Sequence, residues 1–380
     1  METLALPLGD GWVLCRPDIE RLAVLNATGK TVWDLLRAGF RQQDIAAAFA
    51  QHFGLSAEEA LAAIGAVTGG LKETGFLPRQ PEDAGGADCA AIPHEKSAAV
   101  KADPKVDCGT FQFGDRRVEV HSSLPDLGSG YFARFGHRAL DNAADADVLE
   151  LSSGPCGYRL TFRGELLADV NSLAGLIGRA HELILSWEYP ETEFLAYFHA
   201  AAVSRDGRSV LLPAACGTGK STLTAFLAAH DFAYIGDDSI AMARSDGSLR
   251  PLPTCLSLKS GSWPVLASLY PELPNLPQVF CHRRIARYVK PRNMRQAGRA
   301  PSVILFSSYA QSAGVEFRAL APLETMTRLI DAGTDFHRPA SSAALAEFLQ
   351  FVELTPAYEL VYSNLPGAKS AIEKLLDPTP

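Results

Sequence analysis

The segment Ala214-Ala215-Cys216-Gly217-Thr218-Gly219-Lys220-Ser221-Thr222 brings together the residue types that hold a polyphosphate. Two glycines let backbone N–H groups turn inward around phosphate oxygens. A lysine follows to reach the terminal phosphates, and the next hydroxyl is placed to ligate Mg²⁺. The flanking sequence supplies a scaffold. Ser209-Val210-Leu211-Leu212 reads as an apolar strand entering the loop, and Leu223, Phe226 and Leu227 recur at helical spacing after it. Strand, glycine loop and helix N-terminus in that order describe a phosphate-binding P-loop, with the helix dipole and its free donors aimed at the anion. Ala214 stands where the strict pattern carries Gly, and Ala fits there provided φ stays negative.

Seventeen residues after Lys220, the apolar run Phe232-Ala233-Tyr234-Ile235-Gly236 ends in Asp237-Asp238. Adjacent carboxylates repel unless a cation or a proton accompanies them. Beside a phosphate loop the natural cation is Mg²⁺. Successive side chains of an extended backbone face opposite ways, so one acid is expected to hold the metal while its neighbour faces an acceptor hydroxyl. Upstream, Phe198 to Val203 and Ser209 to Leu212 read as a hairpin around Arg205-Asp206-Gly207-Arg208. That hairpin brings His199 alongside the loop strand, where an imidazole could tune the base or touch a phosphate. Three weaker features accompany these. Lys259 sits in a polar turn, Cys216 lies near a helix N-terminus that favours thiolate, and a basic run extends from His282 and Arg283 to Arg299.

These residues need a sizeable scaffold, and the chain has one. Its 380 residues suggest two or three domains, with 47% hydrophobic and 21% charged residues, the balance of a globular protein. A net charge of −8 argues against a nucleic-acid-coating protein or one bound to an anionic membrane. No uncharged apolar run reaches the roughly 18 residues of a membrane helix. The start, Met1-Glu2-Thr3-Leu4, has an acid where a secretory signal carries base. Seven scattered cysteines with no CxxC pair fit free thiols in a reducing cytoplasm.

Three zones follow one another. Residues 1–79 read as a small module, 80–108 as a flexible linker rich in Ala, Pro, Gly and Asp, and 109–380 as a larger α/β domain. In the first zone, Trp12 to Cys15 and Leu22 to Leu25 suggest an antiparallel pair. Three helical patterns come next. The third opens on a Ser56/Glu59 capping box, places Leu61, Ile64, Val67 and Leu71 on one face and stops near Gly75. Strands first and three helices after describe a winged-helix-like α+β unit. Its helices carry no basic recognition face, so phosphate-backbone binding is poorly supported. A sheet edge beside a helix could instead capture an extended peptide.

Val24-Leu25-Asn26-Ala27-Thr28-Gly29, Val32-Trp33-Asp34-Leu35-Leu36, Asp44-Ile45 and Lys72-Glu73-Thr74-Gly75-Phe76-Leu77 give this module its resemblance to PqqD-like peptide-recognition elements. Those elements bind leader segments of ribosomally made precursor peptides. The resemblance implies a leader lying between Leu22, Val24 and Leu25 of the last strand and Ile64, Val67 and Leu71 of the third helix.

His199, the GKS core at Lys220 and the Asp237-Asp238 pair, in that order, resemble the HPr kinase/phosphorylase family. Leu256 to Ser262 and Ser302 to Phe306 are also similar to its members. The resemblance implies a mixed-sheet kinase domain that transfers the ATP γ-phosphoryl group to a hydroxyl. By position, residues 214–222 bind the nucleotide, with Lys220 also acting in transfer. Ser221 and Asp238 hold Mg²⁺, Asp237 is the base and His199 supports it. Ala200 and Thr222 replace the family's Gly and Glu, and the segment tied to its reverse reaction is missing, so the forward transfer is the one expected. The two resemblances together imply a kinase that modifies a Ser or Thr of a captured precursor peptide, as lasso-peptide tailoring kinases do. A carrier protein or small-molecule hydroxyl as acceptor, or a nucleotide-gated peptide chaperone without transfer, are the alternatives. The oligomeric state is left open, a homo-oligomer included.

Overall fold

The computed structural model describes residues 3–18, 21–77, 105–124, 127–142, 144–214, 217–281, 284–295, 297–312, 314–336 and 341–377. Most of the expected linker, 80–104, lies outside these, and Val106 to Cys108 already belong to the strand Val106–Phe113. The chain divides into two compact units.

The first unit is built on the N-terminal residues. Strands Leu4–Leu8, Gly11–Arg16 and Arg21–Asn26 form an antiparallel sheet in that order, which leaves Arg21–Asn26 at an edge. The sequence pattern implied the second and third strands but not the first. Helices Ala27–Arg37, Gln42–Phe53 and Ala57–Glu73 follow. Asn26 caps the first, accepting from the Gly29 N–H at 2.7 Å, and the Ser56/Glu59 capping box starts the third. Val32, Ile45, Ala60 and Ile64 form one core between the helices. Leu14, Trp33, Leu71 and Phe76 join the sheet to them. Leu61, expected on the buried face, is 42% exposed.

The strand Gly11–Arg16 is buried on both of its faces, with Leu14 turned to the helices and Val13 and Cys15 equally covered. A sheet buried on both sides needs a second layer. Helices Pro322–Asp331 and Ser342–Leu354 belong to this unit and supply it. The approach is close. A Cβ on Gly11 would stand 2.5 Å from a Leu323 methyl and 2.6 Å from the Leu25 carbonyl oxygen.

The second unit centres on a six-stranded mixed sheet. Its order is Ala233–Gly236, Ala200–Arg205, Arg208–Pro213, Pro301–Tyr309, Ala357–Tyr362 and Glu316–Ala319. Arg208–Pro213, Pro301–Tyr309 and Ala357–Tyr362 run parallel. The expected hairpin forms, Ala200–Arg205 pairing with Arg208–Pro213 around Asp206 and Gly207, both at positive φ as a two-residue turn of matching twist requires. Helices Lys220–Ala228 and Leu365–Leu376 pack on this sheet, where Leu223, Leu227 and Ile372 meet Leu212, Leu305 and Leu360. Each fully buried leucine contributes roughly 1.5–3 kcal/mol.

Three further sheets surround this layer. One pairs Phe194–Phe198 with Ile240–Ala243, and one pairs Leu256–Lys259 with Arg284–Val289. The largest begins at Val106–Phe113 and carries the helix Leu173–Glu188. Among the described residues no helix is long and apolar enough to cross a membrane.

Candidate functional site

Parallel strands point their carboxyl ends the same way, and ligands of open α/β sheets bind there. Ala214, Tyr309 and Tyr362 mark those ends, and a cavity of about 710 Å³ opens beside them. Its floor is the loop before the helix Lys220–Ala228. Gly217 and Gly219 adopt φ of 102° and 94°, values that a side chain would strain, and Ala214 stays out of that region. Gly219 is needed for a second reason: a Cβ there would meet the Tyr362 hydroxyl at 3.1 Å. Gly217, Gly219, Lys220, Ser221 and Thr222 line the cavity, and the Thr218 carbonyl accepts from the Tyr309 N–H at 3.2 Å. Ala215 and Cys216 lie outside the described residues.

Lys220 is buried at the first turn of its helix, with Nζ 3.8 Å from Asp237 Oδ1 and 3.7 Å from Asp238 Oδ1. Both acids therefore reach one cation, contrary to the strand alternation expected of them. The strand ends at Gly236, and Asp238 adopts a left-handed φ of 73°, which swings its side chain back toward Lys220. Among the described residues, Lys220 Nζ and Asp237 Oδ2 are buried without a hydrogen-bond partner. Ser221, one residue after Lys220, lies near the Asp237 carboxyl and works against the rise in its pKa. The Asp238 N–H donates to Asp237 Oδ1 at 3.1 Å and the Thr254 hydroxyl to the Asp237 carbonyl at 3.1 Å, fixing the turn.

The two acids titrate in opposite directions. Burial, then repulsion from Asp238, pushes Asp237 above the usual carboxylate range. Burial would raise Asp238 too, but the cations Lys220, Lys259 and Arg134 outweigh it and hold Asp238 well below that range. His199 occupies the single residue between Phe198 and Ala200, where the chain passes from one sheet to the next. Its Nδ1 lies 3.1 Å from the Asp238 carbonyl, and burial together with Lys220 lowers its pKa.

A second cavity of about 670 Å³ lies on the other side of these residues. His199, Asp238 and Lys259 line both cavities. Tyr131, Arg134 and His181 add a wall that sequence reasoning missed, because it comes from the region 109–195, which carries no motif. Arg134 is buried, its guanidinium 4.0 Å from the centre of the Tyr131 ring. Of the basic run, Arg287 packs over Trp263 and Arg292 over Tyr270, and neither lines these two cavities.

In the N-terminal unit, a groove of about 340 Å³ runs between the edge strand Arg21–Asn26 and the helix Ala57–Glu73. Leu22, Val24, Leu25, Val67 and Leu71 line it as expected. Ile64 does not: it is 2% exposed, in the core with Val32 and Ile45. Thr327, Ile330 and Asp331 of the helix Pro322–Asp331 form a third wall that nothing in the local sequence announced. The family model of coenzyme PQQ synthesis protein D (PqqD) matches residues 11–77. Residues 11–77 form a PqqD-like domain. The groove belongs to that domain, a peptide-recognition element, and the helix Pro322–Asp331 lies beyond the matched residues. No curated protein matches the chain.

Proposed function

We propose that the chain is an ATP-dependent kinase that phosphorylates a Ser or Thr hydroxyl of a ribosomally made precursor peptide, whose leader is held by the PqqD-like domain. The observation that carries the phosphoryl-transfer reading is the pair of orphaned buried groups, Lys220 Nζ and Asp237 Oδ2, at the floor of the larger cavity. The two groups sit in ion-pair range yet leave hydrogen-bonding capacity unused, which is costly in a buried site, and a triphosphate with its metal would satisfy both. The resemblance to HPr kinases over His199, Lys220-Ser221 and Asp237-Asp238 supports the same chemistry.

The donor set fits Mg²⁺: a hydroxyl from Ser221 and a carboxyl from Asp237, hard oxygen ligands beside the phosphate loop. Mg²⁺ bound there would neutralise charge on the β- and γ-phosphate oxygens. This exchanges the roles that the sequence suggested for the two acids. Asp237 faces Ser221 and suits the metal. Asp238 lines both cavities and is held ionised, so it suits the base.

In this reading the loop N–H groups and Lys220 hold the triphosphate, and the second cavity receives the acceptor hydroxyl. Asp238 takes the hydroxyl proton, the hydroxyl oxygen bonds to the γ-phosphorus, and the bond to the β–γ bridging oxygen breaks to release ADP. His199 is a positioning residue that holds the Asp238 turn. Anchoring the leader makes acceptor capture intramolecular and raises its effective concentration. The test is γ-labelled ATP with the precursor peptide and Mg²⁺. Label in a Ser or Thr of the peptide that is lost in Lys220→Ala and Asp238→Asn supports the proposal. Nucleotide binding with no label on the peptide would refute it.

A further inference from the structure

We infer that Tyr309 is the platform on which the base of the donor nucleotide stacks, an inference that rests on the nucleotide reading of the larger cavity. Tyr309 is the last residue of the strand Pro301–Tyr309. The strand is buried from Val303 to Ser307, yet Tyr309 is 56% exposed and lines the cavity. A large aromatic ring left open at a cavity mouth beside a phosphate loop needs a partner of its own kind, and a nucleobase offers one.

The ring is held for that role. Tyr309 is the parallel cross-strand neighbour of Tyr362, with ring centroids 5.9 Å apart and planes at 70°. Tyr362 is itself buried, so its ring braces Tyr309 by edge contact. The backbone is tied to the phosphate loop through the Tyr309 N–H to Thr218 carbonyl bond of 3.2 Å. A Cβ on Gly219 would stand 3.5 Å from the Tyr309 Cβ. The platform is thus fixed against the loop before the helix Lys220–Ala228.

The electrostatics of the cavity divide accordingly. Lys220 stands 3.8 Å from Asp237 and 3.7 Å from Asp238, and Lys259 lines the same cavity as Lys220 and Asp238. Leu365 and Pro366 flank the tyrosine side and carry no charge. An anion belongs at the first end and an uncharged π face at the second. The ligand class is a nucleoside triphosphate recognised at both ends, rather than any polyphosphate.

The experiment compares two ligands on the full chain by calorimetry with Mg²⁺: a non-hydrolysable ATP analogue and inorganic tripolyphosphate. The wild type should bind the analogue more tightly than tripolyphosphate. Tyr309→Ala should weaken the analogue about tenfold, the scale of one lost base–aromatic stack, and leave tripolyphosphate unchanged. Tyr309→Phe should bind both as the wild type does. An unaltered analogue affinity in Tyr309→Ala, or an equal loss for both ligands, overturns the inference. Equal binding of the two ligands by the wild type also overturns it, while leaving the phosphate reading intact. A wild type that binds neither ligand removes both.

Discussion

The Nδ1–H of His199 donates to the backbone carbonyl of Asp238 at 3.1 Å, across 39 residues of chain. Asp238 sits in the left-handed region, where a non-glycine residue is strained and must be held by its surroundings. Burial and the nearby Lys220 keep His199 neutral near neutral pH, which suits a single-donor contact. His199→Ala should therefore lower kcat by about a hundredfold, the scale of a misplaced reacting group, with little change in nucleotide Kd. His199→Asn, whose amide can donate from a similar place, should recover part of the rate. Steady-state kinetics beside a binding titration would check this. A histidine that touched phosphate instead would show its loss in Kd.

Lys220 and Asp237 form a second testable pair. Removing one member of a buried charge pair costs about 3–5 kcal/mol, because the other charge is left stranded. Lys220→Met should lower the urea unfolding free energy by about 3 kcal/mol. Adding Asp237→Asn should recover most of that loss without restoring transfer. Additive losses in the double variant would mean that the two side chains do not sense each other at 3.8 Å.

Much of this site is legible in the amino-acid sequence alone. The glycine loop, the lysine and the acid pair are legible because each is a short run of consecutive residues. The hairpin at Asp206-Gly207 is legible for the same reason. The placement of both Asp237 and Asp238 beside Lys220 is not. It depends on one backbone angle, and nothing in the residue types marks Asp238 as left-handed. Tyr309 and Tyr362 are invisible there because the sheet order brings them in from distant segments, and Arg134 because it comes from a short helix far from the glycine loop in sequence. The second layer over the N-terminal sheet escapes in the same way. Only Gly11 hints at it, since a glycine in a strand often marks a close approach.

Acid should destabilise the chain through His181 and His137. Burial, with Arg134, holds His181 down at about 3, and burial, with Arg138, holds His137 at about 4. Their unfolded values are near 6.5, so between pH 6.5 and 4 the unfolded chain binds more protons than the folded one. Stability is complete above about 6.5 and falls as the pH drops through that window. Neutral His181 accepts from, or donates to, the Tyr131 hydroxyl at 3.0 Å, a bond that glutamine can keep. His181→Gln should remove on the order of 2 kcal/mol of the pH dependence between about 6.5 and 4. Urea melts at the two pH values would show it as a flatter profile. A slope identical to that of the wild type would contradict the assignment.

The PqqD-like groove separates two kinds of substitution that the sequence could not tell apart. Val67 is half-buried and lines the groove, whereas Ile64, one turn earlier on the same helix, is locked in the core. Val67→Arg places a charge where an apolar leader side chain would rest. It should weaken binding of a fluorescent synthetic leader at least tenfold while moving the melting temperature little. Ile64→Ala should do the reverse. Deleting buried methyl groups costs about 2–4 kcal/mol, and leader affinity, measured by anisotropy well below the melting temperature, should stay near that of the wild type. Asp331→Lys tests the third wall on an exposed residue with no packing role. If the helix Pro322–Asp331 faces the bound leader, reversing this charge should shift leader affinity in a salt-dependent way, and an unchanged affinity at low and high salt would place the leader elsewhere.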